Sequence, residues 1–172
     1  MRYWVLTALL TLAFLIQSVV SHYLAIFGVT PDLLQVVVVS YGLLFGWEVG
    51  IGAGVLGGLL LDLTAGRFIG LHVLSLGAVG LVAGLVEEKV FKDNVLLGPT
   101  AGFVGSLLNQ IIILLCLTFF GWRVPLVESF RYMILPEALY DMVLATLVYS
   151  QLYKYYRYLR PDPRGTIVLR RR

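Results

Sequence analysis

The chain has 172 residues, 59% of them hydrophobic and only 13% charged, whereas a soluble domain has about 45–50% apolar and about 25% charged residues. A water-soluble fold could not cover that much apolar surface, and at roughly 20 residues per span the length accommodates six spans with little left for a soluble domain. The net charge of +3 does not point to nucleic acid, because the basic residues crowd the last twenty positions beside the final apolar run.

The apolar segments in chain order are Tyr3 to Phe27, Pro31 to Phe45, Trp47 to Leu63, Gly70 to Val86, Val95 to Phe120 and Pro136 to Tyr158. Their uninterrupted apolar runs, without period-two alternation, predict helices rather than barrel strands. The first is too long for a signal-peptide core of about 7–15 residues and lacks a clear small-x-small cleavage site, so it reads as a retained span. The fold class is an all-α integral membrane bundle of six helices over residues 1–158, followed by a basic tail over 159–172.

Between Leu33 and Leu63 the only charge is Glu48, and no proline divides the run. A single helix there would be about 46 Å long, too long for one crossing, so a tight hairpin is expected at Gly46, Trp47 and Glu48. Both arms are then short, which calls for bilayer thinning or for burial behind neighbouring helices. Thr30-Pro31-Asp32 is a helix start, with a hydroxyl, a proline at the first position and a carboxylate near the positive dipole end. Pro136-Glu137 repeats part of that logic for the last span. The mixed stretch from Gly121 to Leu135 is expected to lie along the interface.

Ten of the thirteen Lys and Arg residues fall on one side: Arg2, Lys89, Lys92, Lys154, Arg157, Arg160, Arg164, Arg170, Arg171 and Arg172. Cytoplasmic loops retain such residues, which predicts cytoplasmic N- and C-termini. The terminal Arg170, Arg171 and Arg172 either fix this topology or contact anionic lipid or a cytoplasmic partner.

Gly50, Gly54 and Gly58 recur every fourth residue on one helical face, where another backbone can approach closely; Gly80 with Gly84 and Gly98 with Gly102 repeat the spacing. Internal packing is the favoured reading and a partner interface the other. Asp62 is followed by Arg67, with Gly66 and Gly70 bending the connection, so an Asp62–Arg67 pair is expected near the outer surface, or else a contact point for another subunit. Gln17, Asn109 and Gln110 lie within spans, where amides need partners; they serve interhelical hydrogen bonds or line a ligand pocket. Cys116 is the only cysteine and reads as a packed or lipid-facing thiol. His22 and His72 have no metal-ligand spacing, and no nucleophile constellation is present. Neither catalysis nor a metal or cofactor is expected.

Several motifs together resemble the MreD family, the small integral-membrane member of the bacterial rod-shape (elongation) machinery. They are Gln17-Ser18, Pro31-Asp32-Leu33-Leu34, the glycine-rich run closing in Gly58-Leu59-Leu60-Leu61-Asp62-Leu63, Gly66 with Phe68-Ile69-Gly70-Leu71, and Pro136-Glu137-Ala138-Leu139-Tyr140. The resemblance implies a non-enzymatic scaffold in the bacterial cytoplasmic (inner) membrane. It would bind MreC and help couple RodA, with its class B penicillin-binding transpeptidase, to MreB filaments, among membrane lipids and without nucleic acid. MreD-like proteins also resemble the substrate-binding subunits of energy-coupling-factor transporters, which are six-helix bundles, so the alternative function is a vitamin-binding subunit. In that family an Ala-x-x-x-Ala pattern on the first helix docks the coupling subunit. Here Ala8 and Ala13 stand five apart and the pattern is missing.

Overall fold

In a computed structural model of the chain, the described residues are 2–20, 29–66, 69–87, 94, 96–122 and 126–159. They form helices α1 (Arg2–Val20), α2 (Leu33–Phe45), α3 (Trp47–Ala65), α4 (Leu71–Val86) and α5 (Leu97–Phe119), then a short α6 (Leu126–Ser129) that runs through a π-helical turn (Phe130–Ile134) into α7 (Leu135–Leu159). Three stretches, Trp47–Ala65, Leu97–Phe119 and Phe130–Arg157, are long and apolar enough to cross a membrane; Trp4–Val19, Leu33–Phe45 and Leu71–Val86 are shorter apolar helices.

The short α2 is the hub. It packs against α1, α3, α4, α5 and α7, and those helices also touch in the order α1–α3–α4–α5–α7 around it. Every residue from Leu34 to Leu44 is buried, as expected of a helix that is apolar on all sides. Of the two solutions open to a short arm, bilayer thinning or burial behind neighbours, α2 adopts burial.

Gly46 alone joins α2 to α3, at φ 94° and ψ 175°, a region of backbone space that essentially only glycine occupies. A Cβ there would also stand 2.8 Å from the Glu87 carboxylate. Gly46→Ala is therefore expected to cost about 1–3 kcal/mol, read as a lower unfolding temperature in detergent; an unchanged melt would mean the hairpin does not depend on this conformation.

Glycines set the spacing of the hairpin arms. Gly50 faces the Gly80 carbonyl, Gly54 faces the backbone of Leu76 and Gly77, Gly58 faces that of His72 and Val73, and Gly84 faces Trp47. Any Cβ at these points would enter the backbone of the neighbouring helix, so α3 and α4 touch main chain to main chain. On the other side of α2, Gly102 of α5 rests on Ala145 and the Asp141 carbonyl of α7, while Gly105 meets Val39 and Gln35.

Pro136 is not the first residue of its helix, as the sequence led us to expect. Helical structure already begins at Leu126 and continues through to Leu159. Proline has no N–H for the fourth residue back and its ring crowds that carbonyl. The turn just before it widens, with the Leu135 N–H donating to the Phe130 carbonyl, five residues back, which is how a π turn accommodates such a break.

Candidate functional site

A helix leaves its first N–H groups unpaired, and in lipid no water is available to satisfy them. At a rise of about 1.5 Å per residue, α2 and α4 are roughly 20 and 24 Å long, shorter than the ~30 Å hydrocarbon core. Because α2 and α4 each run antiparallel to α3, both place their N-termini at the same end of the bundle. Carboxylates from neighbouring helices meet those two termini.

At the start of α2, Asp32 caps its own helix by accepting from the Gln35 N–H at 3.0 Å. Gln17 of α1 clasps the same turn: its Oε1 accepts from the Leu34 N–H at 2.8 Å and its Nε2 donates to Asp32 Oδ1 at 3.3 Å. From α7, Asp141 Oδ1 accepts from the Asp32 N–H at 2.9 Å. The buried Gln35 amide satisfies both its ends when Nε2 donates to Asp141 Oδ2 at 2.9 Å and its oxygen accepts from the Ser106 N–H of α5 at 3.0 Å. Four helices thus meet through side chains at one helix end. One turn away, Gln110 of α5 donates to Glu137 of α7. Asn109 is 2% exposed, and its Oδ1 has no hydrogen-bond partner among the described residues.

At the start of α4 a single side chain does the same work. Asp62, fully buried at the end of α3, accepts from the backbone N–H groups of Gly70 at 2.8 Å, His72 at 3.0 Å and Val73 at 3.2 Å. The ring Nδ1 of His72 donates to Asp62 Oδ1 at 2.8 Å. The anion sits where the dipole of α4 is positive, which adds to the direct bonds.

The residues singled out from sequence therefore separate into distinct places. Gly50, Gly54 and Gly58 are taken up by packing between α3 and α4. Among the described residues, the partners of Asp62 are the α4 N–H groups and His72; Arg67, the partner expected from the sequence, lies outside the described residues. Gly70 is the N-cap of α4, at φ 106°. Gln17 belongs to the α2 cap, and Gln110 pairs with Glu137. His22 and the tail arginines Arg170, Arg171 and Arg172 lie outside the described residues. Sequence reading passed over Gln35 and Asp141, although a carboxylate within the apolar run after Ala138 is the costly kind of residue that marks an intramembrane contact. Among the described residues no group of His, Cys, Asp and Glu is arranged to hold a metal ion.

Apolar helices around a buried hub, with interior acids closing helix ends, define a multi-pass α-helical membrane protein. The family model described as rod shape-determining protein MreD matches residues 1–159. The chain belongs to the MreD family of rod shape-determining membrane proteins. No curated protein and no solved structure matches it.

Proposed function

We propose that this chain crosses the bacterial cytoplasmic membrane six times, with both termini in the cytoplasm, and is a non-enzymatic scaffold of the elongation complex. In this reading it receives the single transmembrane helix of MreC and helps link RodA and its transpeptidase partner to MreB filaments. The supporting observation is what the interior acids do. Asp32, Asp62 and Asp141 accept hydrogen bonds from backbone N–H groups at helix starts, which holds a bundle rigid and leaves those oxygens committed to structure. A rigid body with a large lipid-facing apolar surface is suited to presenting helix faces to other membrane proteins.

Coexpression with MreC tests the reading: the two are expected to co-purify in mild detergent and in nanodiscs. MreC recovered without this chain under both conditions would count against the scaffold role. Reporter fusions at the two ends are expected to place both in the cytoplasm.

A further inference from the structure

A cleft of about 180 Å³ opens between α1 and α3, with α2 as its floor. Its walls include Thr7 and Leu10 of α1, Tyr41 of α2, and Glu48, Gly52 and Leu56 of α3. The Tyr41 hydroxyl donates to the carbonyl of Leu6, another wall residue, at 2.9 Å, so it is already paired within the protein. Nothing lies within 4 Å of the position a Gly52 Cβ would take, so the cleft is open at its centre. A volume of about 180 Å³ is too small to seat a helix about 10 Å across, but suits a run of methylenes.

Its mouth has a different character. Glu48 lies in the first turn of α3 and is exposed. Trp4 of α1 and Trp47 of α3, 81% and 50% exposed, stand at the same end of the two helices, the position tryptophan favours at the headgroup level. A carboxylate at headgroup depth above an apolar slot is complementary to a cationic amine carried on an acyl chain.

We propose that the α1–α3 cleft is a binding site for one aminophospholipid, phosphatidylethanolamine, with an acyl chain between Leu10 and Leu56 and its ammonium on Glu48. Phosphatidylglycerol, whose headgroup is anionic without an amine, is selected against. The site follows from membrane embedding and is independent of the MreC assignment.

Native mass spectrometry of the full chain, released from nanodiscs containing equal phosphatidylethanolamine and phosphatidylglycerol, tests this. The wild type is expected to retain one phosphatidylethanolamine. Glu48→Gln is expected to reduce the ratio of retained phosphatidylethanolamine to phosphatidylglycerol by about three- to fivefold, the scale of one exposed charge pair. Gly52→Leu, placed in open space, is expected to keep the unfolding temperature and lose the retained lipid. Equal retention of the two lipids by the wild type, an unchanged ratio in Glu48→Gln, or full retention by a folded Gly52→Leu would each overturn the proposal. Should Gly52→Leu not fold, the Glu48→Gln ratio decides alone.

Discussion

Asp62→Ala is expected to destabilise the bundle by about 3–5 kcal/mol, the range for removing one partner from a buried charged network. The exchange strips the acceptor from three backbone N–H groups and from the His72 ring, and each buried donor left unpaired costs about 1–3 kcal/mol. Water entry and local fraying at the start of α4 recover part of that sum. His72→Ala removes only one donor and leaves the carboxylate bonded to the main chain, so its cost is expected near ~1 kcal/mol. Thermal unfolding in detergent compares the two. A His72 variant as damaged as the Asp62 variant would mean that the imidazole, rather than the helix end, is what Asp62 serves.

Gly54→Leu is expected to prevent α3 and α4 from closing, with a loss above about 3 kcal/mol and little folded protein accumulating. Its Cβ alone would meet the Leu76 carbonyl and Gly77 Cα, and backbone cannot rotate away as a side chain can. Overpacking costs about 1–3 kcal/mol where neighbours yield and more where they do not. Gly52→Ala, two residues away on the open side of the same helix, is expected to be neutral or to gain up to ~1 kcal/mol from helix propensity. Comparable losses in the two variants, measured by fluorescence-detected size exclusion and melting, would refute the assignment of this face to internal packing.

The legible parts of this protein were those with a local cause. Gly46 could be read as a hairpin point because no single helix of that length fits one crossing. Thr30-Pro31-Asp32 marked a helix start, but the cap is Asp32 rather than the Thr30 hydroxyl, and Pro31 precedes the helix instead of opening it, because the shorter carboxylate arm next to Leu33 reaches the Gln35 N–H. The fourfold glycine spacing revealed a close helix contact, but not whether its partner lay inside the molecule; that depends on α4 folding back, which no residue of α3 encodes. The expected Asp62–Arg67 pair rested on opposite charges a few residues apart. Arg67 lies outside the described residues; the partners described for that carboxylate are the N–H groups that open α4, and Gly70 was their signal. Gln35 and Asp141 were invisible as a pair because they are joined across a long stretch of sequence, through a helix end that neither belongs to alone. Pro136 read as a helix start because proline suits that position, whereas the π turn that lets the helix run through it leaves no mark in the residue types.

The encirclement of α2 constrains how the chain is made. A 13-residue segment is too brief for the insertion machinery to release into lipid as a stable, independent anchor, and its five neighbours are not all synthesised when it emerges. With Gly46 as the sole link to the next helix, α2 is tied directly to α3, which is long and apolar enough to cross a membrane. The nascent protein then stays incomplete until α5 and α7 arrive to enclose α2, so the last part translated is what makes the first part permanent.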